Sequence, residues 1–377
     1  MTPHLYRLLR QFQADAPLDE ARTIPARWYT DPELTAYENE RLFTQVWLVA
    51  GRSDQVAHPG DYFTAEVAGR PLVIARDTDG NLRGFYNICR HRAARVVTEE
   101  HGHGQHWRCR YHGWTYDLSG LLRGAPECAA VTSGWREHYH LYPVTVAEWP
   151  PLVFVHLGQP SLPLAEYLTP LPQKMAPWHL ERLHFVTRRV YNLACNWKVF
   201  VDNYLDGGYH VPTLHRSLAA VLDYRHYVTE TYRYCSLQHS PLKQPDSDLE
   251  DASAASVRTG KEAAYWWLFP NFMLNVYQGV MDTNLVWPLG PDRCRVIFDF
   301  YFADPAGTPQ ADRFHAESIA VAERVQQEDA DICEQVQRGL ASGVFDTGPY
   351  CSRREMGVYH FHRLLAQFLT PSTTPQG

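Results

Sequence analysis

The 377-residue sequence lacks several features that mark other classes of protein. No apolar run approaches the eighteen residues of a membrane-spanning helix, so we expect no membrane insertion. The first ten residues lack the apolar core of a signal peptide, which favours a cytoplasmic protein. The formal net charge of −7 argues against nucleic acid or an anionic membrane surface as a partner.

The eight cysteines are too dispersed to form the disulfide framework of a small secreted protein. Internal repeats and low-complexity tracts are absent, and no Gly-x-Gly-x-x-Gly follows a predicted strand. Without such a motif no nicotinamide or flavin domain is visible, so a redox reaction would need electrons from a separate protein. Two of the cysteines instead belong to a motif with the spacing of metal ligands.

This first motif combines a Cys-x-His pair, Cys89 and His91, with a Cys-x-x-His pair, Cys109 and His112. Two thiolates and two imidazoles are the ligand set of a Rieske [2Fe–2S] centre, which transfers single electrons. The same four side chains would also suit a structural Cys₂His₂ zinc site, so the ligands alone leave that alternative open. Gly113, directly after the last ligand, indicates a turn at this end of the motif.

The second motif is a pair of histidines, His210 and His215, farther along the chain. A helix is predicted to begin at Trp197. Because Pro212 disfavours helical conformation at Val211, we expect this helix to end close to His210. His215 would then come from the following turn, which lets the two imidazoles converge on one metal ion.

A third ligand is predicted from the pattern of a long helix expected over residues 313–340. Its apolar stripe consists of Val321, Val325, Ile332 and Val336, and Asp329 lies in the gap of that stripe. A buried carboxylate is costly unless it is paired or binds a metal, so Asp329 is the predicted ligand and Asp331 should face solvent. A salt-bridged helix carboxylate is the alternative. Two histidines and one carboxylate form the facial triad of non-haem Fe(II) oxygenases.

A metal-bound imidazole usually donates its second N–H to a carboxylate. Asp206 lies four residues before His210, on the same face of the predicted helix, and is the expected acceptor. Asp202 is the alternative. Asn203 lies seven residues before His210 and shares this face.

Residues 87–120 resemble the Rieske domain of ring-hydroxylating oxygenases, and the resemblance continues through residues 202–212, 270–275, 281–286, 288–291 and 336–340. It is nearest to the choline monooxygenase-like branch of that family. It implies an α+β fold, with a Rieske-type antiparallel β domain and a helix-grip catalytic domain in which an antiparallel sheet packs on long helices. The predicted boundaries are 1–45 for an N-terminal helical segment packed on the catalytic domain, 46–160 for the Rieske domain and 161–377 for the catalytic domain.

Turn residues and periodicity predict further elements along the chain. Asp31 before Pro32 indicates the start of a helix. The proline-rich residues 160–177 are expected to form a linker, and residues 240–262 are expected to form a loop. Residues 265–302 are predicted to form a meander of strands, and residues 355–368 are predicted to form a helix.

The sequence departs from the family pattern at several positions. Ala93 and Ala94 stand where glycine is usual, and Gly207 stands where the acid beside the first histidine is usual. Ala94 and Tyr111 occupy the places of the extra disulfide of respiratory Rieske proteins, so that bridge cannot form. By resemblance the cluster is therefore of the lower-potential oxygenase type.

The resemblance implies a terminal oxygenase that receives electrons from a flavin/iron–sulfur reductase or a ferredoxin. Electrons would pass from the Rieske cluster to mononuclear Fe(II), which with O₂ would hydroxylate or oxidatively dealkylate a small organic substrate. Choline or another quaternary ammonium compound is one candidate substrate, and aromatic-ring hydroxylation is the alternative. A Rieske electron carrier with a non-catalytic binding domain is a further alternative, which the second iron site would exclude.

The family also assembles as a head-to-tail homotrimer, in which an acid links the mononuclear iron to the Rieske cluster of the next subunit. Asp206 would take that role here, and Asn203 would lie near the iron. A quaternary ammonium ion would suit an aromatic cage. The candidate cage residues, on strands expected to line the pocket, are Trp266, Phe272, Tyr277 and Trp287. Strands favour aromatic residues anyway, so sheet core is the alternative for them.

Overall fold

The computed structural model describes residues 1–128, 136–243 and 252–370. The chain divides into two units, one of residues 43–166 and the other of residues 1–42 together with 167–377. The N-terminal segment thus belongs to the same unit as the C-terminal half. Among the described residues, no helix is both long and apolar enough to cross a membrane.

The smaller unit is built from short antiparallel strands, as predicted for this region. They are β1 (Trp47–Arg52), β2 (Asp61–Val67), β3 (Arg70–Arg76), β4 (Leu82–Tyr86), β5 (His101–His103), β6 (His106–Arg108), β7 (Thr115–Asp117), β8 (Leu122–Gly124), β9 (Thr145–Trp149) and β10 (Leu152–His156). They form three sheets with the orders β1-β10-β9, β4-β3-β2-β5 and β6-β7-β8. A buried cluster that includes Trp107, Trp114, Cys89 and Cys109 fills this unit, so both predicted ligand cysteines lie in its core.

The larger unit contains a seven-stranded antiparallel sheet with the order β11-β17-β16-β15-β14-β13-β12. Its strands are β11 (His184–Leu193), β12 (Val228–Thr231), β13 (Cys235–Pro241), β14 (Glu262–Leu268), β15 (Phe272–Tyr277), β16 (Val280–Gly290) and β17 (Arg293–Phe302). The last four strands form the meander predicted over residues 265–302, because each pairs with the next along the chain. Gly279, with φ of 73°, lies in the two-residue turn between β15 and β16.

The described helices are α1 (Pro3–Leu9), α2 (Arg27–Thr30), α3 (Pro32–Arg41), α4 (Leu164–Tyr167), α5 (Leu171–Met175), α6 (Trp197–Leu205), α7 (Val211–Leu214), α8 (Arg216–Val221), α9 (Ala252–Val257), α10 (Pro309–Ala341) and α11 (Met356–Leu369). Short 3₁₀ turns span Ser53–Val56, Arg136–Tyr139, Ala176–Trp178, Leu180–Arg182 and Tyr224–His226. The side chain of Asp31 accepts hydrogen bonds from the first turn of α3, as its position before Pro32 predicts. The predicted helices over residues 313–340 and 355–368 correspond to α10 and α11.

Three predictions about local structure were wrong or only partly testable. The helix from Trp197 ends at Leu205, before a pair of glycines with positive φ, Gly207 and Gly208. Residues 160–177, predicted as a linker, contain α4 and α5. Of the loop predicted over residues 240–262, residues 244–251 lie outside the described part of the chain, whereas the residues that follow form α9.

Candidate metal centres and substrate cavity

The two loops that carry the Cys and His motif share one backbone conformation. In each, the cysteine N–H donates to the carbonyl five residues later, and the N–H four residues later donates back to the cysteine carbonyl. These bonds measure 2.7 and 2.9 Å in the loop of Cys89 and 2.8 and 3.0 Å in the loop of Cys109. The fourth residue after each cysteine has positive φ: Ala93 (57°) and Gly113 (73°). Ala93 therefore adopts the conformation for which the family's usual glycine is better suited.

The four predicted cluster ligands differ in how far their side chains are exposed to solvent. Cys89 and Cys109 are 5% and 1% exposed, whereas His112 is exposed and His91 is partly exposed. The Nδ1 atoms of His91 and His112 lie 3.1 Å apart, so both ring nitrogens point at the place where one metal ion would bind. Trp114 stacks on His91 at 5.0 Å between ring centroids. Buried thiolates and outward imidazoles suit a cluster with one all-sulfur iron and one histidine-bound iron.

Tyr116 supports the first of these loops. Its hydroxyl lies 3.4 Å from Cys89 Sγ and accepts the backbone N–H of Arg90 at 3.1 Å. Burial, and then the adjacent Cys89, raise the pKa of Tyr116 well above that of a free phenol. The hydroxyl therefore keeps its proton and can donate it to the cysteine sulfur, which stabilises a thiolate ligand.

The second candidate centre consists of His210, His215 and Asp329. One donor atom from each lies within 4.8 Å of the others. Asp329 Oδ1 is 3.0 Å from His215 Nε2 and 3.8 Å from His210 Nε2. For metal–ligand bonds of about 2.1 Å at right angles, neighbouring donor atoms lie about 3 Å apart. The three side chains therefore fit one face of the coordination sphere of a single iron ion.

The two histidines flank the short helix α7, with His210 at its N-cap and His215 at its C-cap. The conformation predicted for Val211 was wrong, because Val211 opens α7 and Pro212 occupies its first turn, where proline is tolerated. The histidines converge because one helical turn separates them, and their ring centroids lie 4.8 Å apart.

Asp206 contacts His210, although not across a helical face as predicted. It caps the end of α6, and the chain then folds back through the two glycines. Its Oδ2 atom accepts hydrogen bonds from the backbone N–H of His210 at 3.0 Å and from His210 Nδ1 at 2.6 Å, and its Oδ1 atom accepts the N–H of Tyr209 at 3.1 Å. The alternative acid, Asp202, instead contacts Tyr29 and His362.

Glu328 is a site residue that the sequence reasoning missed. Its Oε2 atom lies 2.6 Å from Nδ1 of His215, whose side chain is 1% exposed. Burial alone would lower the pKa of His215, but the hydrogen bonds and charges of Asp329 and Glu328 outweigh it and raise that pKa. The sequence signal that could have identified Glu328 is the group of acidic residues close to Asp329 on the predicted helix.

The buried face of α10 is shifted by one residue from the apolar stripe that was used to predict Asp329 as a ligand. Val336 is 44% exposed, and the buried face of α10 instead runs through Ala322, Gln326, Cys333 and Gln337. Asp329 still lies between Gln326 and Cys333 on this face, and its Oδ1 atom accepts a hydrogen bond from Asn203 Nδ2 at 2.7 Å. Asp331 is exposed, as predicted.

A cavity of about 110 Å³ adjoins His210, His215 and Asp329. It is small beside the pockets of about 300–1,000 Å³ that hold drug-sized ligands. Its aromatic lining consists of Phe200, Tyr204, Tyr227, Tyr265, Tyr277 and Phe298. Its polar lining includes Gln238, Arg258, Asn275, Asp282, Asn284 and Gln326.

Of the four predicted cage residues, only Tyr277 lines this cavity. Trp266, Phe272 and Trp287 are buried but do not line it, so their prediction is corrected. Successive side chains of a strand point to opposite faces of the sheet, and each of these three is an odd number of residues from a lining residue on its own strand. Trp266, for example, follows Tyr265 and directs its indole N–H to Met175.

Two family descriptions match the chain. The Rieske [2Fe–2S] domain matches residues 46–141, and the catalytic domain of the ring-hydroxylating alpha subunit matches residues 180–370. The chain belongs to the Rieske ring-hydroxylating oxygenases. This membership confirms the predicted fold class, the oxygenase class and both cofactors, a [2Fe–2S] cluster and a mononuclear iron. It also favours the cluster over the zinc site and a terminal oxygenase over an electron carrier.

Relatives within this family are similar in sequence to this chain over nearly its whole length. The chloroplastic choline monooxygenase of Arabidopsis thaliana is 37% identical, covering 95% of this chain and 86% of its own. The carnitine monooxygenase oxygenase subunit of Escherichia coli K12 is 30% identical, covering 92% and 94%. The solved structure of the quaternary ammonium Rieske monooxygenase CntA with L-carnitine is 28% identical, with a TM-score of 0.81 and coverage of 95% and 99%.

Proposed function

We propose that this chain is the oxygenase component of a monooxygenase that acts on a quaternary ammonium compound, with choline as one candidate. The observation that carries the proposal is the small tyrosine-lined cavity beside His210, His215 and Asp329. Relatives over almost the full length are named choline and carnitine monooxygenases, which supports the same substrate class.

The tyrosine rings suit a cation that carries no N–H group. Tyr265 is buried and Tyr204 and Tyr227 are partly buried, and this burial raises the pKa of each well above that of a free phenol. They are therefore neutral near pH 7. Their ring faces attract a desolvated cation by about 2 kcal/mol or more for each well-placed ring, and they need no hydrogen bond from it.

Each predicted ligand has a defined role in this proposal. Cys89, His91, Cys109 and His112 would hold the [2Fe–2S] cluster, and His210, His215 and Asp329 would hold Fe(II). When bound, the cluster supplies single electrons and the mononuclear iron activates O₂.

Neighbouring side chains would keep these ligands in place. Asp206 and Glu328 accept the Nδ1–H of His210 and His215, which presents Nε2 of each ring to the metal. Asn203 donates to Asp329 Oδ1, the oxygen that lies beside Nε2 of both histidines, and so helps to hold that carboxylate in place.

We propose a cyclic homotrimer in which His91 or His112 of one chain hydrogen-bonds Asp206 of the next. Asp206 accepts three hydrogen bonds from the described residues, and a carboxylate has about four lone-pair sites. Tyr209, beside it, is 54% exposed. Heterologous contacts of this kind close into rings. One relative's structure is described in terms of inter-subunit electron transfer, which supports the arrangement.

The electron donor would be a flavin/iron–sulfur reductase or a ferredoxin, and we expect the protein in the cytoplasm with it. The test is a substrate panel of choline, carnitine, γ-butyrobetaine and naphthalene, with a surrogate reductase and measured O₂ consumption and product. Product from at least one quaternary ammonium compound is expected. Oxidation of naphthalene with no product from the quaternary ammonium compounds would overturn the proposal in favour of aromatic-ring hydroxylation.

A further inference from the structure

An arginine forms part of the wall of the substrate cavity. The side chain of Arg258 is 5% exposed, and its guanidinium lies 4.6 Å from the ring centroid of Tyr277. Nη1 donates to Ser318 Oγ at 3.1 Å. Nη2 lies 4.0 Å from Asp282 Oδ1, which is too long for a hydrogen bond. Because a guanidinium does not lose its proton in proteins, the cavity contains a permanent positive charge.

Three residues that line the cavity each carry a buried polar atom with no hydrogen-bond partner among the described residues. They are Asp282 Oδ2, Asn284 Nδ2 and Gln326 Nε2. Their residues are only 3%, 2% and 2% exposed, and all three line the cavity. The amide oxygen of Asn284 faces Asn275 Nδ2 at 3.5 Å, which leaves the Asn284 NH₂ group directed elsewhere. Asp282 Oδ2 is an acceptor, whereas the other two atoms are amide donors. Buried donors without partners are rare in proteins, which favours a polar ligand near these two amides.

Arg258 is remote from the candidate metal ligands. Its partner Ser318 lies three turns before Asp329 on α10, which is about 16 Å along the helix axis. Arg258 and the three candidate metal ligands line the same cavity, so a substrate in it can approach the metal centre with one end and Arg258 with the other. Choline carries only a positive charge and a hydroxyl, and so offers Arg258 no opposite charge.

We propose that Arg258, with the amide donors of Asn284 and Gln326, binds a carboxylate of the substrate. The preferred substrate is then a betaine-type zwitterion, in which a short chain joins a quaternary ammonium group to a carboxylate. A guanidinium binds a carboxylate through two parallel N–H bonds, which fixes the orientation of the molecule as well as adding affinity. This inference rests on the proposed function and narrows its substrate class.

The opposing interpretation is that Arg258 and Asp282 form a structural ion pair with no contact to substrate. Asp282 is 3% exposed and burial raises the pKa of its carboxyl, but its Oδ1 atom lies 4.0 Å from Arg258 Nη2, so no hydrogen bond joins the two side chains. The two interpretations differ in one respect. A structural pair affects all ligands equally, whereas a carboxylate site affects only ligands that carry a carboxylate.

The experiment compares γ-butyrobetaine, its methyl ester and choline as ligands of the iron-loaded enzyme. Binding is measured without oxygen by titration calorimetry, and kcat and KM are measured separately with a surrogate reductase. We expect the wild type to bind γ-butyrobetaine at least tenfold more tightly than either carboxylate-free ligand. Arg258→Gln should weaken the binding of γ-butyrobetaine about ten- to a hundredfold, and the loss should appear mainly in KM. The same substitution should change the binding of choline little. Arg295→Gln, at an exposed arginine on β17, is the matched control and should leave all three ligands unchanged.

Equal affinity of the wild type for γ-butyrobetaine and its ester would overturn the inference, even if Arg258→Gln fails to fold. An equal loss of affinity for all three ligands in a folded Arg258→Gln protein would show that the arginine has a structural role. In both cases turnover of choline would leave the proposed function standing. If no quaternary ammonium compound binds or reacts while naphthalene does, both the proposed function and this inference are wrong.

Discussion

Replacing Glu328 by glutamine tests the support of the mononuclear centre. The substitution keeps the size of the side chain and an acceptor for the Nδ1–H of His215, but it removes the charge that strengthens this 2.6 Å contact. Loss of such a partner costs about 10- to 100-fold in metal affinity, or ~1.4–2.7 kcal/mol. Because 33% of the Glu328 side chain is exposed and solvent screens its charge, we expect the lower end, about tenfold.

The assay is competition for Fe(II) between the protein and a chelator, with the Rieske absorption as an internal measure of folded protein. Glu328→Gln should release mononuclear iron at about tenfold less chelator, with an unchanged cluster spectrum. Glu317→Gln, at an exposed position on the same helix, is the control and should match the wild type. Wild-type iron affinity in Glu328→Gln would show that the contact does not support the metal ligand.

The remaining predictions concern other residues. Cys89→Ser should abolish the Rieske absorption and reduced-state EPR signal while one iron per chain remains; an unchanged spectrum would refute the ligand assignment. Asp329→Ala should lose mononuclear iron and turnover, whereas Asp331→Ala, at an exposed position, should keep both; equal activity would contradict this. Asp206→Asn should keep both metals and a reducible cluster but lose product formation, and undiminished turnover would exclude its bridging role. Burial alone would raise the pKa of Asp117, but hydrogen bonds in the β7–β8 turn lower it. The ionised Asp117 carboxylate therefore stabilises the folded protein above about pH 3.9, its pKa in the unfolded chain, and this contribution is lost as the pH falls through its pKa in the folded protein. Thermal melts should accordingly show that Asp117→Asn destabilises the protein less below about pH 4 than at neutral pH.

The sequence predicted the features that depend on local pattern. The meander and α10 follow from turn residues and periodicity over many positions, where errors at single residues do little harm. The helix that ends at Leu205 was predicted to continue to His210 because its end was placed from Pro212. Gly207 and Gly208, which adopt positive φ, end it earlier. That signal was present in the sequence.

Other features depend on tertiary packing and could not be read from the sequence. The contact between Glu328 and His215 joins residues more than a hundred positions apart, and nothing in either segment specifies the partner. The choice between Tyr265 and Trp266 as a cavity residue depends on which face of β14 meets the cavity. Both residues are aromatic and buried, so an alternating apolar pattern that would identify the face is missing.

The glycine pair explains why the acid beside His210 stands at position 206. Gly207 has φ of 70°, and a Cβ atom there would lie 2.2 Å from the carbonyl oxygen of Arg354. No residue with a side chain fits this position, so an acid three residues before His210 is excluded in this chain. The tight turn instead brings the preceding Asp206 back onto the His210 ring at 2.6 Å. The departure from the family pattern is therefore a shift of the carboxylate by one residue, made possible by the backbone conformation that glycine provides.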